Sequence, residues 1–366
     1  MKRILLVANS NMSLSGVPVV YMSIVRKLHK EYVFDIILLK NNDMYFEKEF
    51  ISYGGNIYFF DCQKPKTVFK KLIWFFGDYN KKAKKFIKDT IDFSKYSVIH
   101  CFNETQSYPF LKEAKSKGIK TRIIHFNSPD SAYPLPNNLK SKIIRKKQIR
   151  SLRLCTNLIF VSKQCLKYSD YKNKGVVIYN TFDETKYTGL IQNTTNNFCL
   201  CQVGTIAARK NLLFSLKVLK NIKEVYPNVK LMIVGKEVED GYLNILKDFI
   251  NKNRLIDNVL FLPTDFNQNE LFKQTTFSIL PSTLESFGLV LIEAQICGVH
   301  CFASDLLPKD TDMGNIDYLE LNEKLWSEQI ISYYEKNGNK RKEPINKDSF
   351  LTKTFISKIR KLYEHH

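Results

Sequence analysis

What this 366-residue sequence lacks narrows its class first. No apolar run approaches the roughly 20 residues that a membrane-spanning helix needs; the longest candidates are strand-like stretches such as Ile4 to Ala8. A basic pair, Lys2-Arg3, opens the chain, but the apolar run behind it is too short for a secretory signal. None of the eight cysteines forms a Cys-x-x-Cys pair. Cys101, Cys199, Cys201, Cys297 and Cys301 fall inside strand-like or helix-like segments, the pattern of reduced core thiols in a cytoplasmic protein and not of a disulfide frame or zinc site. No Asp-x-Asp or histidine cluster suggests a catalytic metal. Acidic residues are scarce in one half only. Residues 1 to 190 carry 34 Lys and Arg against 15 Asp and Glu, whereas the remainder carries 22 against 21, so nearly all of the +20 net charge belongs to the first half. Such asymmetry predicts an anionic partner for that half: a membrane surface, a lipid-linked pyrophosphate or nucleic acid. No helix-turn-helix, RNA-binding aromatic motif or zinc module supports the last of these.

What is present suffices for two ordinary domains, since 44% of the residues are apolar. Strand, polar loop and helix alternate from the start: Lys2 to Asn9 is an apolar strand, Ser10 to Gly16 a loop, and a helix follows through Val25 and Leu28. Further strands are expected at Phe34 to Leu39, Ile57 to Phe60, Val98 to Cys101, Ile123 to Phe126 and Leu158 to Val161. This alternation predicts an α/β fold with a doubly wound parallel sheet, whose ligands lie beyond the C-terminal strand ends, where Gly16, Asn103 and His125 fall. Between the third and fourth strands, Lys64 to Lys88 sets nine lysines around Phe69, Leu72, Trp74, Phe75 and Phe76, with Asp78 the only acid. Two readings stand: an interfacial helix with rings in the headgroup region, or a surface helix whose aromatics face the core. A second basic segment, Lys140 to Arg153, is either a further contact with membrane or acceptor or a solvated face.

The polar stretch Gln192 to Asn197 reads as a linker, after which the alternation restarts. Strands are expected at Phe198 to Val203, Lys230 to Val234 and Val259 to Leu262, and helices at Leu212 to Val225 and Tyr242 to Ile250. The loop VGTIAARKN after the first of these strands combines Gly204, which allows close backbone approach, with the two cations Arg209 and Lys210; Asn211 is placed to cap the next helix. The most distinctive stretch is residues 280 to 305, LPSTLESFGLVLIEAQICGVHCFASD. It reads as a strand end, a polar loop, and a Phe287-Gly288 step into a helix apolar on nearly every face. Glu293 lies in the middle of that helix, where a buried carboxylate needs hydrogen-bond donors, from the protein or from a ligand. Glu285 lies eight residues earlier, in the loop. Backbone N–H groups of Gly288 and Leu289 at the helix start would suit a phosphate or a sugar hydroxyl. After Asp305 the sequence turns polar and irregular until a final helix, Phe350 to Tyr363.

Pro281, Ser282, Glu285, Ser286, Phe287, Gly288, Glu293, Ala294, Gly298, Ser304 and Asp305 together resemble the signature of retaining glycosyltransferases of family 4, in particular the capsular and exopolysaccharide branch. Residues 176 to 183, VVIYNTFD, are similar to that family's domain-junction segment, with Thr181 in place of the usual glycine, and His300 stands where many relatives have proline. The resemblance implies the GT-B fold: two Rossmann-like domains, here residues 1–185 and 186–349, with the last helix, about 350–366, packing back on the first. It implies a hexosyltransferase acting on a nucleotide diphosphate sugar, a UDP-sugar favoured, with a lipid-linked or growing polysaccharide as acceptor. The catalytic residues would be His125, near the reacting carbon, and Glu285, on the donor-sugar hydroxyls. Lys210 would hold the diphosphate, with Arg209 substituting for a family arginine at Thr205. Gly16, Gly204 and the stretch Ser286, Phe287, Gly288 and Leu289 would meet sugar and phosphate, and Glu293 the ribose hydroxyls. No cofactor or metal is expected, and the basic first domain would sit peripherally on the inner face of the membrane. Rival readings are another GT-B enzyme, such as a nucleotide-sugar epimerase or a phosphorylase, or a non-catalytic partner subunit. Neither a pyridoxal-lysine motif nor an epimerase's paired acids is apparent.

Overall fold

The computed structural model describes residues 1–8, 10–39, 41, 43–61, 79–127, 139–169, 171, 175–182, 186–187, 189–194 and 197–364. The chain forms two compact units, Met1–Thr181 with Thr352–His366, and Phe182–Leu351.

In the first unit the strands are β1 (Lys2–Ala8), β2 (Tyr32–Leu38), β3 (Ile57–Phe59), β4 (Val98–Cys101), β5 (Thr121–Phe126), β6 (Asn157–Phe160) and β7 (Gly175–Val177). Between them run α1 (Gly16–Leu28), α2 (Glu47–Ser52), α3 (Tyr79–Thr90), α4 (Tyr108–Ser116), α5 (Leu139–Leu152) and α6 (Lys163–Tyr168). The sheet is parallel throughout, in the order β3-β2-β1-β4-β5-β6-β7. Ile4 to Ala8 are all buried because a central parallel strand is covered on both faces, which explains the unbroken apolar run. Asp35 is a charged residue within the core. It accepts from Arg3 at 2.7 Å, the Tyr96 hydroxyl at 2.7 Å and the Asn56 N–H at 2.8 Å, so its burial is satisfied on every side.

The described part of the lysine-rich stretch is α3. Its buried residues, Tyr79, Ala83 and Ile87, are one helical turn apart and face the core, and Phe86 packs on Phe60 with ring centroids 5.1 Å apart. Lys81, Lys82, Lys84, Lys85 and Lys88 are exposed. Over these residues the rings point inward and only charge points outward. Phe69, Leu72, Trp74, Phe75 and Phe76 lie outside the described residues. In α5, Lys142, Arg145, Lys146 and Arg150 are exposed as well.

The second unit holds β8 (Cys199–Val203), α7 (Leu212–Val225), β9 (Lys230–Val234), α8 (Tyr242–Lys252), β10 (Val259–Leu262), α9 (Gln268–Gln274), β11 (Phe277–Leu280), α10 (Leu289–Ile296), β12 (His300–Ser304), β13 (Ile316–Leu319) and α11 (Glu323–Asn337). Its parallel sheet runs β10-β9-β8-β11-β12-β13. The region after Asp305 is more regular than its composition suggests. Strand β13 pairs with β12 from Cys301↔Ile316 to Ser304↔Leu319, and α11 buries Trp326 and Ile330 against Phe214 and the rest of the core. Strand β13 is a four-residue edge piece and α11 mixes its apolar residues with many polar ones, so their periodicity is faint. Helix α12 (Thr352–Glu364) belongs to the first unit, where its Arg360 pairs bidentately with Glu31 at 2.7 and 2.9 Å.

In each sheet the strand order reverses beside the first strand: β1 lies between β2 and β4, and β8 between β9 and β11. The loops leaving the two central strands therefore diverge, and the crevice between them is where doubly wound folds bind ligands.

All seven described cysteines are free, six of them buried, and burial pushes the Cys201 thiol up to about 11 and the Cys101 thiol up to about 12. Among the described residues no helix is long and apolar enough to cross a membrane.

Candidate active site

At the β8–β11 switch point the loop after β8 supplies Gly204, Arg209 and Lys210, and the loop after β11 supplies Glu285. These side chains meet. The Lys210 ammonium donates to Glu285 Oε1, and Arg209 Nη1 stands 3.8 Å from the same oxygen. The Arg209 guanidinium also donates to the Thr205 hydroxyl at 3.2 Å, while its Nη1 has no hydrogen-bond partner among the described residues. Lys210 and Glu285 are 9% and 7% exposed, so the pair sits nearly out of water, where an unopposed charge is costly.

The geometry is held from behind by backbone. Gln202 donates to the Lys210 carbonyl at 2.7 Å and accepts from the Ser215 hydroxyl at 2.6 Å. Thr283 N–H donates to the Arg209 carbonyl at 2.9 Å, tying the two loops together. Gly204 has φ +146°, and a Cβ there would lie 3.1 Å from Lys210 Cε and 3.2 Å from its Nζ. The lysine stem thus runs across a position that only glycine leaves open. Asn211, expected to cap α7, occupies the N-cap position in a left-handed conformation and makes no side-chain cap bond; its role is backbone shape.

Further along, Gly288 is the N-cap of α10 at φ +93° and has no side chain with which to cap it. Phe287 is buried and packs against Phe350 at 6.2 Å, while Ser286 and Leu289 are half-exposed. Glu293 corrects an expectation: it is half-exposed, unlike its buried neighbours Ile292 and Ala294. The helix is buried on most faces, but one stripe, bearing Leu289 and Glu293 four residues apart, is not. His300 makes structural contacts, with Nδ1 2.9 Å from Asn315 Oδ1 and its ring stacked on Tyr333 at 3.9 Å.

In the first unit, Gly16 is exposed at the start of α1, with open space where a Cβ would project. Asn103 shapes its own loop by accepting from the N–H groups of Thr105 and Gln106 at 2.9 and 2.7 Å. His125 lies one residue from the end of β5 and is fully buried, with neither ring nitrogen hydrogen-bonded among the described residues. Desolvation pushes its pKa down to about 3, so the ring is neutral. It stacks on His100 at 5.4 Å, and His100 in turn shares a 2.8 Å hydrogen bond with the Tyr363 hydroxyl of α12, 263 residues away. The contact between His100 and Tyr363 escaped the sequence reading because nothing local links a strand to the last helix. Gly235 was also missed; a Cβ there would fall 1.8 Å from the Gly204 carbonyl oxygen.

Among the described residues no group of three or more His, Cys, Asp and Glu side chains is placed to hold a metal ion. One Asp-x-Asp spacing does occur, Asp310-Thr311-Asp312, and it builds a turn in which Asp312 accepts from the Gly314 N–H at 2.7 Å.

Known proteins share part of this sequence and its fold. Residues 190–311, which contain Gly204, Lys210, Glu285 and Glu293, match the family described as Glycosyl transferases group 1. The chain is 23% identical over 354 residues to a Bacillus subtilis (strain 168) protein named as glycosyltransferase EpsF, covering 90% of this chain and 87% of that one. Among solved structures, Anabaena Alr3699/HepE in complex with UDP-glucose superposes with a TM-score of 0.76 at 16% identity, over 99% of each chain. S. aureus TarM, in complex with Fondaparinux, alpha-GlcNAc-glycerol and UDP, superposes at 0.71 and 11% identity over 100% of each. A group 1 glycosyl transferase domain on two doubly wound sheets makes this chain a GT-B glycosyltransferase.

Proposed function

We propose that the enzyme moves a hexose from a nucleotide diphosphate sugar, a UDP-sugar by preference, to a lipid-linked or growing polysaccharide acceptor in capsule or exopolysaccharide synthesis, with retention of anomeric configuration. The observation that carries this reading is the convergence of Lys210, Arg209 and Glu285 at the β8–β11 switch point. Departure of a nucleoside diphosphate requires its negative charge to be stabilised, and two cations, Lys210 nearly buried and Arg209 part-exposed, do so without a metal. Lys210 and Arg209 hold the diphosphate, the latter beside the Thr205 hydroxyl, and the start of α10 at Gly288 and Leu289 adds backbone donors. Glu285 reads the sugar hydroxyls and Glu293, half-exposed on α10, takes the ribose. In the first unit, neutral His125 has hydrogen-bonding capacity that no described residue takes up, and open space lies where a Cβ of Gly16 would project. The choice of UDP draws on the UDP-glucose bound to HepE; the polysaccharide acceptor draws on the capsular and exopolysaccharide character of the signature.

The test is transfer from a panel of UDP-, GDP- and ADP-sugars with 10 mM-scale EDTA present, and product configuration read by NMR. A UDP-sugar is expected to be used with unchanged rate in EDTA and to yield the donor's own anomeric configuration. Loss of activity restored by magnesium, or an inverted product, overturns the reading.

The basic first unit serves as the membrane-facing part. Its apolar α3 residues are spent on the core, so the attraction is electrostatic and comes from exposed lysines, about 1 kcal/mol for each one near an anionic surface. Changing Lys81, Lys82, Lys84 and Lys85 together to glutamate is expected to abolish co-sedimentation with phosphatidylglycerol vesicles at low salt, with turnover on a soluble acceptor kept. Unchanged sedimentation would retire this surface.

A further inference from the structure

The cradle at the β8–β11 switch point already contains an anion, and that anion belongs to the protein. Lys210 donates to Glu285 Oε1, and the nearest guanidinium nitrogen of Arg209 is 3.8 Å from the same atom. If Lys210 and Arg209 hold a diphosphate, as proposed above, the two anions want the same cations. A carboxylate left a few ångströms from a diphosphate repels it strongly in a site this dry.

Resting on that reading, we propose that Glu285 is a built-in competitor of the diphosphate, which makes the site discriminate between the complete donor and the spent nucleoside diphosphate. In the resting enzyme Glu285 neutralises Lys210. When the nucleotide sugar enters, its diphosphate takes over the ammonium and the Nη1 of Arg209, which lacks a hydrogen-bond partner among the described residues. Glu285 is then compensated by the sugar hydroxyls, which donate to it. Once the hexose has left, the donors of the sugar are gone. The carboxylate then faces a bare diphosphate and returns to Lys210, favouring release of the product. Only the charge of Glu285 is needed for this exchange, and its position is guaranteed by the Thr283-to-Arg209 backbone bond, which fixes the distance between the two loops.

The proposal makes an unusual demand on one variant: it must lose turnover and yet bind the product better. Glu285→Gln keeps the shape and removes the charge. Binding of inorganic pyrophosphate, which is indifferent to the base, and of UDP is measured by calorimetry for both proteins, with uridine as the uncharged control. The variant is expected to bind pyrophosphate and UDP at least about tenfold more tightly than the wild type, and uridine equally. Pyrophosphate affinity that is unchanged or weaker overturns the proposal, as does an equal gain for uridine. Glu285→Ser gives the same comparison should the glutamine variant not fold. Lys210→Met separates the two levels of the argument. If it binds pyrophosphate as the wild type does, the diphosphate-binding reading itself fails. If it loses pyrophosphate while Glu285→Gln shows no gain, only the competitor role falls.

Discussion

Lys210→Ala is expected to lower kcat/KM for sugar transfer by about a hundredfold to a thousandfold, the scale on which removal of a single stabilising donor at a developing anion registers. The protein should remain folded, because the bond that positions this residue is made to its backbone: Gln202 reaches the Lys210 carbonyl at 2.7 Å, and alanine keeps that carbonyl in place. Some stability is lost, about 3 kcal/mol, since Glu285 loses the Lys210 ammonium in a nearly buried setting. The measurement is steady-state transfer alongside a thermal melt. Near-normal turnover in a folded variant would remove Lys210 from the site. A fall in turnover matched by wholesale unfolding would show instead that the residue is needed for structure.

Gly235→Ala is the second large effect, and it touches no ligand. The added methyl would lie 1.8 Å from the Gly204 carbonyl oxygen and 2.8 Å from its carbon, so the backbone at the end of β8 or β9 must move. Overpacking of this kind costs about 1–3 kcal/mol. The displaced residue is Gly204, which leaves room for the Lys210 stem at 3.1–3.2 Å, so the shift passes to the ammonium. A displacement of about 1 Å in a positioning group lowers rates about a hundredfold. The expected result is therefore a lower melting temperature, a large fall in kcat/KM, and a smaller rise in melting temperature on adding UDP than the wild type shows. Wild-type turnover in Gly235→Ala would mean that the Gly204–Lys210 contact has no bearing on catalysis.

Much of the fold can be read in the sequence because its elements are locally encoded. Apolar runs such as Ile4 to Ala8 and Leu231 to Val234 are strands buried on both faces, and the helices between them carry apolar stripes at helical spacing. Reading failed where the local signal is weak. Strand β13 is an edge strand of half-buried residues, and α11 anchors itself mainly through Trp326 and Ile330, so both passed for irregular chain. It failed differently at Glu293. Apolar neighbours on both sides implied burial, yet burial of a helical residue depends on which stripe meets the core, and the Leu289–Glu293 stripe does not.

The candidate site divides along the same line. Sequence alone determined which residue types could do the chemistry: a glycine and two cations in one strand-to-helix loop, a carboxylate and a glycine step in another. Each is a local pattern of a few residues. Only tertiary structure decided that Lys210 donates to the carboxylate of Glu285, 75 residues away, that Gly235 stands behind Gly204, and that Tyr363 reaches His100. These depend on the strand order that puts β11 beside β8 and on the last helix belonging to the first unit. Strand neighbours are chosen by the burial of the whole sheet, a free energy summed over distant residues, and no local periodicity records it.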